Sequence, residues 1–280
     1  MPLLISFGHG YSARAMAARL PQDWRVIATT RSEEKVEELA GLGAEPRLFG
    51  SDLSAEIAEA THVLTSAAPG KGGDPVVAAY GEALRAARPV WAGYLSTTAV
   101  YGDHGGGWVD EGTPLTPASS RGAARVAAEA EWAVLGLPLH VFRLAGIYGP
   151  GRGPFAKLRD GTARRLVKPG QFFSRIHVDD IGRVLAASAQ DPAPGPYPQV
   201  WNLCDDEPAP PQDVMAKAAE LLGVEAPPEI AFEEAELTPM ARSFYGESKR
   251  VSNARMRADF GPLLHSGYEA GLRSILEAGG

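Results

Sequence analysis

The sequence predicts an α/β chain in which a doubly wound parallel sheet is followed by a smaller, mixed region toward the carboxyl terminus. Three observations carry that expectation. Short apolar runs of strand length alternate with helical segments through the first half, the pattern of a parallel sheet covered on both faces. The first run, Leu3 to Phe7, leads straight into Gly8-His9-Gly10-Tyr11-Ser12-Ala13. From Gly149 onward Gly, Pro and basic residues become frequent, and such clusters mark connections rather than sheet interior.

The opening unit is the most informative. An alanine-rich helical segment runs to Leu20, and a second apolar run, Arg25 to Thr29, ends in Thr30-Arg31. Strand, glycine turn, helix and strand in this order form the first unit of a dinucleotide-binding fold. Gly8 permits the tight turn, Gly10 clears the main chain for a pyrophosphate, and Ala13 lets the helix pack close to the strand. The helix amino terminus offers unpaired N–H groups and a positive dipole end. Gly8, Gly10, Tyr11, Ser12 and Ala13 are therefore expected to hold a dinucleotide; the plain alternative is a glycine turn joining a strand to a helix.

A helix is expected next at Glu33 to Leu42 and a strand at Glu45 to Phe49. A strand at His62 to Ser66 precedes the turn-rich Ala67 to Pro75, followed by a helix near Val76 to Ala87 and a strand at Val90 to Ser96. A helix at Ser120 to Leu135 and a strand at Leu139 to Leu144 complete the alternation. Segments near Phe173 to Ser188 and Val200 to Leu203 are expected to return to the sheet. The expected division is a Rossmann-type domain over 1–150, joined by 173–204, and a substrate-side region over 151–172 and 205–280.

NAD-binding versions of the unit place an acidic residue after the second strand. Here Thr29-Thr30-Arg31-Ser32 stands there, with no carboxylate before Glu33. A guanidinium beside hydroxyls suits a 2′-phosphate, so NADP(H) is favoured over NAD(H). The alternative reading makes Arg31 a solvated residue at the start of a helix.

Bulk properties narrow the class. The 280 residues carry a formal net charge of −7, which argues against general nucleic-acid binding. Basic residues cluster at 159–168 and 249–257, either to hold a small anion or as solvated faces. Cys204 is the single cysteine, so an intramolecular disulfide is excluded and a reducing cytoplasm fits. No run resembles a signal peptide or a membrane span. The six histidines and Cys204 show no metal-ligand spacing, so no metal site is expected.

Further segments fall in register with the opening unit. Asp52-Leu53 follows the third strand and Ser66-Ala67-Ala68-Pro69 the fourth. Ser96-Thr97-Thr98-Ala99-Val100-Tyr101-Gly102 ends the fifth, Arg143-Leu144-Ala145-Gly146-Ile147-Tyr148-Gly149 the sixth, and Ile176-His177-Val178-Asp179-Asp180 comes later. In this order they resemble the extended short-chain dehydrogenase/reductases, the NAD(P)-dependent epimerase/dehydratase superfamily. The resemblance implies that Asp52 and Leu53 contact the adenine, that Ser66, Ala67 and Ala68 line the dinucleotide channel, and that Thr97, with Thr98 beside it, orients the substrate oxygen. The segment from Phe244 to Asn253 resembles the region that closes over substrate, where Arg242, Lys249 and Arg250 would meet an anion; surface charge is the other reading.

One departure alters the expected chemistry. Arg121 and Arg125 stand where the superfamily carries its Tyr-x-x-x-Lys pair. Arginine, with an ordinary pKa above about 12, polarises an oxygen or binds an anion but is a poor general acid or base. Their spacing puts both on one helix face, with Glu129 a turn further as an alternative partner for Arg125. Tyr101, Tyr148, His177, Asp179 and Asp180 are the remaining proton-transfer candidates. The same helix, through Ala127, Ala128, Ala130 and Trp132, suits either a homodimer bundle or packing on its own sheet. The expected function is that of an NADP-dependent oxidoreductase or epimerase/dehydratase-like enzyme acting on a small polar or anionic molecule. The alternative is a catalytically silent NADP-binding redox sensor or scaffold.

Overall fold

In the computed structural model, which describes residues 1–279, the first elements are β1 (Leu3–Phe7), α1 (Tyr11–Ala17), β2 (Arg25–Thr30), α2 (Glu34–Gly41), β3 (Glu45–Leu48), α3 (Ser54–Glu59), β4 (His62–Thr65), α4 (Pro75–Ala87) and β5 (Trp91–Thr97). A 3₁₀ turn over Thr98–Tyr101 leads to β6 (Trp108–Val109), α5 (Ser120–Val134), β7 (Leu139–Leu144), β8 (Gly146–Tyr148), α6 (Pro154–Arg159), β9 (Arg165–Val167) and β10 (Arg175–His177). Then come α7 (Val178–Gln190), β11 (Gln199–Leu203), α8 (Pro211–Leu222), β12 (Glu229–Ala231), α9 (Pro239–Phe244), β13 (Arg250–Val251), α10 (Ala254–Phe260) and α11 (Tyr268–Glu277).

The chain folds as two units. Unit 1 holds Met1–Thr97, Ala123–Arg143 and Ile181–Trp201; unit 2 holds Thr98–Gly122, Leu144–Asp180 and the chain from Asn202 onward. These boundaries differ from the expected division: 98–122, 144–150, 173–180 and 202–204 fall in unit 2. Hydrogen bonds explain why the segment after β5 does so. Lys249 donates from Nζ to the Gly102 carbonyl at 2.7 Å, and the His104 and Gly106 N–H groups donate to the Ser248 carbonyl.

Unit 1 is organised by a seven-stranded sheet of order β11-β7-β5-β4-β1-β2-β3. β1 pairs in parallel with β2 and β4, β2 with β3, and β4 with β5. Every residue of β1 and β4 is buried, as expected of strands covered on both faces. Edge strand β3 tolerates Pro46 and half-exposed Glu45 and Arg47. The order reverses at β1, whose two neighbours lead to opposite sides of the sheet, and that is where such sheets open a crevice beyond the strand ends. Ala128 and Trp132 of α5 pack with Tyr94, Leu139 and Val141 in the unit's core. That face of α5 therefore lies on its own sheet, while Ala127 and Ala130 are exposed.

The expected return of 173–188 to this sheet is corrected. β10 pairs instead with β8, His177 opposite Tyr148, in a two-stranded sheet of unit 2, and only β11 joins the main sheet. The run offers just three residues before α7 begins at Val178. Unit 2 has its own core, built by Tyr148, Phe155, Val214, Ala218, Leu272 and Ile275. Among the described residues no helix is long and apolar enough to cross a membrane.

One glycine decides a close helix contact. A Cβ on Gly182 of α7 would stand 2.4 Å from the Ala15 carbonyl oxygen of α1. Gly182→Ala is expected to destabilise the chain by about 1–3 kcal/mol through overpacking, read as a lower urea midpoint. An unchanged midpoint would show that α1 yields at no cost.

Candidate functional site

At the mouth of the β1–α1 crossover, Gly8 has φ 76°, a left-handed conformation that glycine adopts freely. A Cβ there would meet Ala67 N and Ser66 Oγ at 3.2 Å, so the strand end after β4 presses directly on this turn. The Gly8 N–H donates to Thr29 Oγ1 at 3.1 Å, and the Gly10 N–H to the Gly8 carbonyl at 2.7 Å. A Cβ on Gly10 would meet nothing nearer than 3.8 Å, so the main chain stands open there. No side chain caps α1, and the leading N–H groups of any helix lack intrahelical acceptors. Ser12 and Ala13 are buried beneath that first turn and Tyr11 is half-buried. His9, between the glycines, contacts Ser6 Oγ through Nδ1 at 3.0 Å. Burial, aided by Arg14, pushes its pKa down to about 4, so the turn contains a neutral imidazole at neutral pH.

Around this turn the remaining expected contacts divide. Arg31 is exposed just beyond β2 and makes no hydrogen bond or ion pair among the described residues. Thr30 Oγ1 accepts the Ser32 N–H at 3.1 Å, shaping the turn that presents it. Ser66 is half-buried and donates to the Gly8 carbonyl; Ala67 packs against the core and Ala68 is exposed. The Asp52 carboxylate accepts both the N–H and the hydroxyl of Ser54, which holds it below the usual aspartate range. Leu53 is buried in the core, leaving its main chain alone to meet a ligand. Sequence reading missed Tyr80, whose hydroxyl accepts the Gly50 N–H at 2.7 Å and donates to the Ser51 carbonyl. Tyr80 thereby ties down the loop after β3 from thirty residues away, and no local pattern announces it.

The end of β5 is clamped from α5. Arg125 donates to the Leu95 carbonyl at 2.6 Å and to the Tyr94 hydroxyl at 3.1 Å. The expected alternative partner, Glu129, is not taken by Arg125. It forms a bidentate pair with Arg143 of β7 at 2.8 and 3.2 Å and accepts the Ser96 hydroxyl. The pair is nearly closed off from water, at 6% and 10% side-chain exposure. Thr97 follows at the strand end, half-buried. The Tyr94 phenol, pushed up by burial, retains its proton.

In unit 2, Thr98 is half-buried at the start of the 3₁₀ turn and Tyr101 is fully buried, its hydroxyl donating to Asn202 Oδ1 at 2.7 Å. Tyr148 is buried too, and burial raises its pKa. Its hydroxyl has no hydrogen-bond partner among the described residues and stands against Gly271, where a Cβ would lie 2.2 Å away. Both phenols thus sit in packing rather than at an open surface. The guanidinium of Arg121 is exposed over the Phe244 ring, 4.7 Å from its centroid. Lys249, read as surface charge in one alternative, is buried and paired with Glu247 at 2.7 Å. Arg242 and Arg250 stack over Phe232 and Phe172.

A titration is built into unit 2 at Asp205. Its Oδ1 accepts the Glu207 N–H and its Oδ2 has no hydrogen-bond partner among the described residues. Burial pushes its pKa up to about 8, against partial opposition from that N–H and from Arg175. The folded chain thus keeps a proton that the unfolded chain releases near its ordinary value of about 4. Asp205's contribution is full below about pH 4 and declines as pH rises through about 8. Urea midpoints measured across this range should fall, and Asp205→Asn should flatten the fall; equal slopes in both proteins would remove Asp205 as its source.

Comparison with known proteins follows the same lines. A functionally unknown conserved protein from Silicibacter pomeroyi DSS has a solved structure 55% identical to this chain, covering 99% of each with a TM-score of 0.93. The chain belongs to that protein's family. The dTDP-glucose 4,6-dehydratase of Bacillus anthracis str. Ames and the UDP-glucuronic acid 4-epimerase of Bacillus cereus, both solved with NAD, are each 17% identical. They share the fold over 99% of this chain and 96% and 99% of their own, with TM-scores of 0.76 and 0.74. The chain therefore has the fold of these two NAD-bound enzymes, which is the fold the sequence resemblance implies. Protein YeeZ of Escherichia coli K12 is 34% identical over 140 residues, so the chain spans about half the length (47%) of this curated relative. No protein-family model matches the chain.

Proposed function

We propose that this chain binds a nicotinamide dinucleotide at the mouth of the β1–α1 crossover, prefers NADP(H) to NAD(H), and acts as an oxidoreductase or epimerase/dehydratase-like enzyme on a small polar or anionic substrate. The observation that carries the reading is the cradle itself: left-handed Gly8 against Ala67, open main chain at Gly10, and an uncapped α1. Main-chain N–H groups there would hold the diphosphate, and the free guanidinium of Arg31 would take the 2′-phosphate. Bound at this place, the dinucleotide supplies or accepts a hydride. Thr97 would orient the substrate oxygen, with Thr98 beside it. Arg121 would bind a substrate carboxylate or phosphate, or polarise an oxygen, without exchanging a proton. Arg125, held by the Leu95 carbonyl, would keep the end of β5 in place. The buried thiol of Cys204 fits a reducing cytoplasm.

A second reading has its own support. With Tyr101 donating to Asn202 and the Tyr94 and Tyr148 phenols buried, a silent NADP-binding sensor or scaffold also accounts for the site. Titration of NADPH and NADH, followed by nicotinamide fluorescence, tests the shared premise; binding of neither rejects both readings. If NADPH binds, oxidation of the coenzyme in the presence of aldehydes, ketones or nucleotide sugars supports the enzyme, and tight binding without turnover supports the sensor.

A further inference from the structure

Two histidines and an aspartate from separate parts of the chain meet in unit 2. His177 closes β10, Asp179 stands in the first turn of α7, and His265 lies in the loop between α10 and α11. One ligand atom from each lies within 4.8 Å of the other two, and the two imidazole centroids are 4.0 Å apart.

Hydrogen bonds around the trio set which nitrogens are available. Asp180 accepts the Leu264 N–H at 2.7 Å, the His265 N–H at 3.1 Å and His265 Nδ1 at 3.0 Å. With its Nδ1 proton given to a carboxylate, His265 carries its lone pair on Nε2. Metal-binding proteins orient ligating imidazoles by this arrangement. His177 Nδ1 accepts the Asp179 N–H at 3.2 Å, a hydrogen bond that a metal ion on this nitrogen would replace, and Asp179 Oδ2 stands 3.7 Å from the same nitrogen.

We propose that His177, Asp179 and His265 form a binding site for a divalent first-row transition metal, with Zn²⁺ as the reference ion. Two imidazoles disfavour Mg²⁺ and Ca²⁺, and two nitrogens with one carboxylate leave a fourth position for water. Zinc bonds of about 2.0–2.2 Å place tetrahedral ligand atoms roughly 3.3 Å apart, so the trio must draw closer to hold the ion. Asp179 can supply that movement, because its side chain is 39% exposed, while His177 is only 1% exposed. The buried rings form the floor, and Asp179 opens the site to solvent. The ion would tie the loop carrying His265 to the junction of β10 and α7. None of the three residues belongs to the dinucleotide cradle, so the site stands whether or not a dinucleotide binds.

The test uses the full chain without a polyhistidine tag, stripped of metal by chelator and titrated calorimetrically with Zn²⁺, with Mg²⁺ as control. One Zn²⁺ should bind per chain, and Asp179→Asn and His265→Ala should each weaken it at least about tenfold, the lower end of losses seen even for residues that merely support metal ligands. Cu²⁺ bound to the unaltered chain should show electron paramagnetic resonance splitting from two imidazole nitrogens. That readout needs no substitution, so a variant that fails to fold leaves the test intact. Absence of one-to-one Zn²⁺ binding, affinity undiminished in both variants, or a copper spectrum without two nitrogens would overturn the proposal.

Discussion

Replacing Glu129 by leucine is expected to destabilise the chain by about 3–5 kcal/mol, the usual consequence of stranding one member of a buried ion pair. The loss arises from what stays behind. Arg143 keeps its charge at 6% side-chain exposure, and the buried Ser96 hydroxyl loses its acceptor. Arg143→Met alone should cost a similar amount, by leaving the carboxylate without its bidentate partner. Glu129→Leu combined with Arg143→Met should recover most of the loss, because two apolar side chains carry no desolvated charge. Urea unfolding of the four proteins gives the coupling directly, and simple additivity of the two single changes would mean that the pair contributes nothing as a pair. The network also holds β5 next to Thr97. Folded variants should therefore lose coenzyme oxidation more than coenzyme binding if Thr97 orients a substrate.

Arg31→Ala is expected to weaken NADPH by about 10- to 150-fold, the equivalent of 1.5–3 kcal/mol for hydrogen bonds to a charged group, while leaving NADH nearly unchanged. The guanidinium is exposed and makes no ion pair among the described residues, so its removal breaks no contact that stabilises the fold. This separates recognition from stability. Equal losses for both coenzymes would reject a role at the 2′-phosphate and would make Arg31 a solvated residue beyond β2. Rising salt should weaken NADPH more than NADH in the parent chain, and that difference should shrink in the variant.

The crossover was legible because its information is local. Gly8, Gly10 and Ala13 shape the turn through the absence or smallness of their own side chains, and Arg31 stands one residue past a strand. Their separation follows from the lengths of one strand and one helix. β7, expected at Leu139 to Leu144, forms over those same residues, since six consecutive buried positions allow little else. The partner of Glu129 was not legible. Helical spacing offered Arg125 four residues away, but Arg125 faces the Leu95 carbonyl and the buried Arg143 takes the carboxylate. A buried charge demands its pairing more strongly than an exposed helix face rewards one. The phenols of Tyr101 and Tyr148 invited a reading as acids from their place after strands, yet Asn202 and Gly271 supply their surroundings from far along the chain.

By itself the sequence determined the alternation of strand and helix, the glycine turn, the missing carboxylate after β2 and the placing of Arg121 and Arg125 on one helix face. Each is a property of neighbouring residues, carried by backbone sterics and side-chain chemistry at fixed short spacing. Only the tertiary structure decided that β10 pairs with β8, that Lys249 is buried beside the Gly102 carbonyl, and that His265 stands with His177 and Asp179. Those outcomes depend on loop closures that bring together groups tens of residues apart. Burial and charge then select one partner among many, and no periodicity in the chain encodes that selection.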